Sequence, residues 1–167
     1  MNRIVQIILC VVIAAVSIIV METLLLLYRE YRRKTIYKLA QQRSNQLKKP
    51  LLVIGSPQAG FTHSIFGSTY GCGDVCLDLN GCHCNNSIKG DLLVELRKMK
   101  TNSYVIFESC VLEYIPSRRL AAINKELRRV AVDGEYYNVR IWPSIYANLF
   151  VSEEPNFLVS LVRDGLR

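Results

Sequence analysis

The chain has 167 residues, 50% of them hydrophobic and 21% charged, and its mean hydropathy is positive, which excludes a disordered, collagen-like or disulfide-scaffold protein. The net charge of +7 comes from 21 Lys and Arg against 14 Asp and Glu, yet eight of the cations and a single acid, Glu30, fall between Tyr28 and Lys49. Basicity therefore belongs to one segment and does not describe a nucleic-acid-binding surface spread over a globular domain.

From Ile7 to Met21 no residue is charged and only Ser17 is polar, and the apolar stretch from Ile4 to Leu27 covers 24 positions with Gln6, Glu22 and Thr23 near its ends. About 20 helical residues cross a bilayer core, so residues 1–28 are predicted to be a transmembrane anchor. A cleaved signal peptide has a shorter apolar region followed by a small-residue cleavage site; here Ala14, Ala15 and Ser17 are followed by more Ile and Leu. Only Arg3 precedes the span, whereas Arg29, Arg32, Arg33, Lys34, Lys38, Arg43, Lys48 and Lys49 follow it. The positive-inside rule then predicts a single-pass membrane protein with its C-terminal domain on the cytosolic side. Residues 29–49 read as a basic juxtamembrane stalk whose partners are the lipid bilayer and its anionic headgroups. Tyr28, Tyr31 and Tyr37 fit an interfacial belt better than a base-stacking platform, so nucleic acid is the weaker partner. Residues 28–47 lack Pro and Gly, so the helix is expected to continue out of the membrane until Pro50 ends it.

Residues 50–167 are expected to form one small domain. Leu51-Leu52-Val53-Ile54, ended by Gly55, has the pattern of a strand buried on both faces. Residues 55–73 are rich in Gly, Ser and Thr and read as a long loop or a poorly formed helix. Asp74–Leu79 is a second strand candidate, residues 91–100 a helix with Asp91 at its start and cations at its end, and Ser103–Phe107 a third strand. Residues 117–131 are predicted to be an amphipathic helix with Leu120, Ile123, Leu127 and Val130 on one face; Asp133-Gly134 signals a turn, and Tyr136–Trp142 a fourth strand. Strands alternating with helices predict an α/β fold, a parallel sheet flanked by helices, with a ligand crevice at the carboxyl ends of the strands.

The stretch from Ser103 to Pro116, Ser-Tyr-Val-Ile-Phe-Glu-Ser-Cys-Val-Leu-Glu-Tyr-Ile-Pro, is followed by a helix ending Lys125-Glu-Leu-Arg-Arg-Val130 and then by Asp133-Gly134. It resembles class I S-adenosylmethionine-dependent methyltransferases, in which a Ser-x-x-Leu-Glu-His-like segment ends the fourth strand, a helix with Glu-x-x-Arg-Val follows, and a Gly-containing turn leads into the fifth. Gly90-Asp91 is similar to that family's Gly-Asp after its third strand. The wording from Gly71 to Cys82, together with the anchor, resembles small methyltransferase-like proteins of large cytoplasmic DNA viruses. The resemblance covers roughly residues 51–142 and implies a reduced Rossmann-like sheet with S-adenosyl-L-methionine as cofactor.

On that resemblance the loop from Gly55 to Gly60 approaches the methionine moiety, Asp78 accepts from the ribose hydroxyls, and Asp91 accepts from the adenine amino group. Ser109 and Cys110 line the crevice near the transferred methyl. No residue is assigned a catalytic role, because transfer from a sulfonium proceeds by positioning and desolvation, and the methyl acceptor is not legible. Read without the resemblance, Asp78 caps a turn with Asn80-Gly81 and Asp91 caps a helix. The chain also departs from the family: Val53 stands where an acid precedes the Gly-rich loop, Pro57 removes an N–H from that loop, Tyr114 replaces the His after Leu-Glu, and little chain follows Trp142. These departures keep a second class of function open, a membrane-anchored structural or interaction protein that retains the fold without the chemistry.

Cys72, Cys76, Cys82 and Cys84 lie close together, with His83 between the last two. Four thiolates suffice for tetrahedral zinc, but the spacing is not that of paired Cys-x2-Cys knuckles, and reduced, partly buried thiols are the expected state. The predicted cytosolic side disfavours disulfides. Asn85-Asn86-Ser87 is a glycosylation sequon that is used only if the domain faces the lumen. With His63 and His83 as the only histidines, no Ser-His-acid or Cys-His set can be assembled, and no phosphate loop with its Lys is present.

Overall fold

The computed structural model describes residues 3–57 and 70–139; residues 58–60 of the predicted Gly-rich loop, Gly60 among them, and Trp142 lie outside them. The first element, α1, is a single helix from Arg3 to Leu47 of 45 residues, roughly 67 Å at 1.5 Å per residue. It is one helix long and apolar enough to cross a membrane. Its first half is exposed apart from Glu22, with Ile7, Val11 and Leu24 each more than 60% accessible. The Ser17 and Thr23 hydroxyls donate to the carbonyls of Ile13 and Ile19 at 2.8 Å, the local bond that lets a hydroxyl sit in an apolar helix at little cost. The helix ends where Lys48 turns left-handed. Lys48 N–H then bonds the Asn45 carbonyl and Lys49 N–H the Ser44 carbonyl, a Schellman closure that satisfies the last carbonyls and turns the chain at Pro50.

Five strands follow: β1 (Leu51–Ile54), β2 (Val75–Asp78), β3 (Ser87–Lys89), β4 (Tyr104–Ser109) and β5 (Ala131–Val139). Helix α2 (Leu92–Lys98) connects β3 to β4, and a 3-10 turn (Leu112–Tyr114) with helix α3 (Ser117–Val130) connects β4 to β5. The strands form one sheet in the order β3-β2-β1-β4-β5, every neighbouring pair parallel. The apolar runs alternate their side chains between two cores. Leu52, Ile54, Leu77 and Ile106 face α2 and α3, where Leu92, Leu96, Leu120, Ile123, Leu127 and Val130 complete the packing. Leu51, Val53, Cys76, Val105 and Phe107 face the other way.

That second face is covered by α1. Ala40 is fully buried there, and Ile36, Tyr37 and Leu47 pack beside it. The Tyr37 ring meets Phe107 edge-on, with centroids 5.3 Å apart, and Arg43 Nε donates to Glu135 Oε1 at 2.6 Å. The basic segment, expected to be a stalk, is thus packed as the third layer of the domain. Ile36, Ala40 and Leu47 recur at helical spacing, a stripe that the surrounding cations hide when the segment is read by composition.

Two elements differ from expectation. Strand β3 has three residues in an exposed, half-buried, exposed pattern, too short for its alternation to stand out. Asp133 and Gly134 do adopt positive φ, but inside β5: pairing steps from Tyr104–Ala131 to Ile106–Tyr136, so the expected turn is a bulge in a continuous strand.

Candidate functional site

The chain adds β2 and β3 on one side of β1, and β4 and β5 on the other. This reversal falls at the carboxyl ends of β1 and β4, where open parallel sheets usually place a ligand crevice. The described candidate residues lie along that edge: Gly55 after β1, Asp78 at the end of β2, Asp91 two residues past β3, and Ser109 and Cys110 at the end of β4. Gly60 lies outside the described residues.

Gly55 has φ of +99°, and a Cβ on it would stand 2.7 Å from Val111 Cγ2. Glycine is required there by the close passage of the segment after β4. Gly55 N–H donates to the Leu77 carbonyl at 2.9 Å, and Ser56 N–H donates to Asp78 Oδ2 at 3.0 Å. Asn80 N–H donates to Asp78 Oδ1 at 2.9 Å. Asp78 therefore caps the turn at Asn80-Gly81 and also ties the end of β1 to the end of β2. It is half-buried, and a carboxylate with about four lone-pair sites can accept further donors beside these two.

Asp91 caps α2, accepting from the N–H groups of Leu93 and Val94. Both of its oxygens also accept from Arg119 Nη2, at 2.6 and 2.7 Å. Arg119 holds this carboxyl below the ordinary carboxylate range, against the opposing effect of partial burial and with help from the Val94 N–H. Its acceptor capacity is largely committed to the α2–α3 packing.

Around the carboxyl end of β4 lie four residues that the sequence does not single out: Arg33 and Tyr70 on the face covered by α1, and Glu108 with Tyr136, whose ring packs against the α2–α3 core. Cys110 is buried with φ of +61°, and its thiol, outside both disulfides, donates to the Val139 carbonyl at 3.3 Å. Arg33 of α1 reaches across so that Nη2 donates to Cys110 Sγ at 3.3 Å and Nη1 to Glu30 Oε1 at 2.7 Å. Burial alone would lower the guanidinium's pKa, but the adjoining Cys110 and Glu30 outweigh it and hold the group above its usual value. Tyr70 lies against Phe107, with centroids 5.2 Å apart, and its hydroxyl donates to the Ser56 carbonyl at 3.1 Å. Burial pushes its phenol up to about 12, with Arg33 pulling the other way. Glu108 is 1% exposed and accepts from the N–H groups of Val111 and Leu112 and from the Tyr136 hydroxyl, which fixes the segment after β4. An acid inside an apolar strand is the one signal that could have exposed it. Arg33 was indistinguishable from its basic neighbours.

Arg33 packs at the carboxyl end of β4, Tyr37 at its middle, and Arg43 beside the β5 bulge. Helix α1 thus runs antiparallel to the strands, and its apolar half projects from the crevice edge. Arg33 is six residues beyond Leu27, about 9 Å along a helix axis.

The four clustered cysteines are joined as Cys72–Cys84 and Cys76–Cys82, with Cα separations of 6.1 and 6.2 Å. The expectation of reduced thiols is not what the structure contains. The β2–β3 connection folds back far enough to bring each pair within disulfide reach, which linear spacing does not reveal. No family model, curated protein or solved structure matches this chain.

Proposed function

We propose that the protein is a membrane-anchored, S-adenosyl-L-methionine-dependent methyltransferase-like protein whose C-terminal domain faces the cytosol. The observation that carries this reading is the gathering of Gly55, Asp78, Ser109 and Cys110 at the carboxyl ends of β1, β2 and β4. The strand order 3-2-1-4-5 supports it, being the order in which doubly wound dinucleotide-binding sheets begin. Asp78 suits ribose hydroxyls, because its carboxylate is already oriented by two backbone donors at the crevice edge. Asp91 fits the adenine amino group poorly, since Arg119 and the α2 cap take up its oxygens. S-adenosyl-L-methionine would supply an activated methyl group there, with Asp78 holding its ribose, Gly55 passing close to its methionine end, and Ser109 and Cys110 lying beside the methyl.

The commitment of Asp91 favours a second reading, a structural or interaction protein on the same fold. Calorimetric titration of S-adenosylmethionine and S-adenosylhomocysteine into the full chain in detergent separates the two. Micromolar binding, weakened about tenfold or more by Asp78→Asn with unchanged circular dichroism, supports the cofactor reading. No binding by a folded chain overturns it and leaves the structural reading.

A further inference from the structure

The sheet corner formed by β2 and β3 has little core of its own. Strand β3 is three residues long, with Ile88 alone half-buried, and the chain from Leu79 to Asn86 has no helix or strand. Small, loop-rich units of this kind need a covalent or metal staple. Four sulfurs meet here: Cys72 before β2, Cys76 within it, and Cys82 and Cys84 in the connection to β3. The Sγ atoms of Cys76, Cys82 and Cys84 lie within 4.8 Å of one another, and Cys72 is bonded to Cys84. We propose that these four cysteines, when reduced, bind one zinc ion as a tetrathiolate that staples the β2–β3 corner.

A zinc–sulfur bond of about 2.3 Å sets tetrahedral sulfurs about 3.8 Å apart, within the 4.8 Å that spans the Cys76, Cys82 and Cys84 sulfurs; Cys72 is carried to the group by its bond to Cys84, and each bonded pair opens to that distance on reduction. The surrounding backbone is fastened without the sulfur bridges. Cys76 N–H donates to the Asn86 carbonyl at 2.9 Å, Cys82 N–H to Ser87 Oγ at 2.7 Å, and Asn86 Nδ2 to the Asp74 carbonyl at 3.0 Å. Cys76 is fully buried and the other three are half-buried against the Leu51, Val53 and Phe107 core, so the site is shielded and closed. His83 is exposed and points to no role as a ligand. A set made only of soft sulfur selects zinc over magnesium or calcium.

The metal form also reconciles the cluster with the orientation that the flanking charges favour, because cytosolic thiols stay reduced. Conversion from the bridged form takes two equivalents of a dithiol reductant. Each sulfur–sulfur bond accepts two electrons and two protons to give two thiols. Zinc then displaces four protons as four sulfur–zinc bonds form, leaving a site of net charge −2.

The test uses the full chain in detergent, reduced with a phosphine under anaerobic conditions. One zinc per chain by elemental analysis is expected, and cobalt exchange should give sulfur-to-cobalt charge-transfer bands with the visible bands of a tetrahedral site. Cys72→Ser and Cys84→Ser should each weaken zinc binding about tenfold or more, while His83→Ala leaves it unchanged. Because a Cys→Ser variant can unfold, the unmodified chain decides by itself. A reduced, folded chain with only substoichiometric zinc and no tetrahedral cobalt bands overturns the proposal, and so does an iron–sulfide cluster. Thiols that resist alkylation in intact cells until reductant is added, with a glycan on Asn85, also overturn it by making the disulfides the native state of a luminal domain.

Discussion

The contact between Tyr37 and Phe107 tests whether α1 is a layer of the domain. Phe107 is fully buried and meets Tyr37 edge-on at 80° with centroids 5.3 Å apart. Phe107→Leu keeps the site apolar and should cost about 1–1.5 kcal/mol, small enough to leave the fold intact. An edge-on aromatic pair contributes about 0.5–1.5 kcal/mol beyond the area it buries. Tyr37→Leu should therefore also destabilise, and the double variant should be less stable than the parent by about 1 kcal/mol less than the two single losses added together. Urea unfolding of the full chain in micelles, followed by near-ultraviolet circular dichroism, measures all four corners of the cycle. Additivity within about 0.3–0.5 kcal/mol, with Tyr37→Leu near neutral, would refute the packing and return residues 36–47 to a free tether.

Glu108 should discriminate between its replacements. Glu108→Gln keeps an oxygen for the N–H groups of Val111 and Leu112 and should cost about 1 kcal/mol, whereas Glu108→Leu leaves both donors buried and should cost about 2–4 kcal/mol; equal losses in denaturant unfolding would contradict the assigned bonds. Asp91 should give an acid-dependent term. Its folded pKa lies below its ordinary value, so it contributes stability above an unfolded pKa of about 3.9 that is lost as pH falls through the lower folded value. Asp91 and Arg119 are 35% and 39% exposed, which screens the effect to below about 1 kcal/mol. Melting temperature against pH should be flatter below pH 4 for Asp91→Asn and parallel to the parent from pH 6 to 8; an unchanged acid slope would remove the pair from the stability account.

The strands were legible where burial on both faces left an apolar run between breakers: Leu51–Ile54 is found at its expected limits. The face of α3 was legible because Leu120, Ile123, Leu127 and Val130 carry the helical period against an otherwise polar background. Strand β3 was not, since three residues carry too little alternation to register. The bulge in β5 was half legible: Asp133-Gly134 announces positive φ, but only pairing with β4 decides that the chain continues in the same direction. Of the crevice residues, those at strand ends could be found from the motif. Arg33 and Tyr70 arrive from α1 and from the segment before β2, and no local pattern marks a side chain recruited across the fold.

The unbroken helix has a mechanical consequence. Residues 3–47 contain neither Pro nor Gly, so the usual sites of kinking are absent between the apolar segment and the sheet. Where the apolar half is held in a bilayer, the sheet is mounted on the end of a lever without a hinge. Ala40 lies thirteen residues past Leu27, about 20 Å along the axis, and a helix tilt of about 20° carries it sideways by about 7 Å. A thinner bilayer that increases the tilt swings the crevice edge with it, so lipid thickness and the attitude of the domain become a single variable.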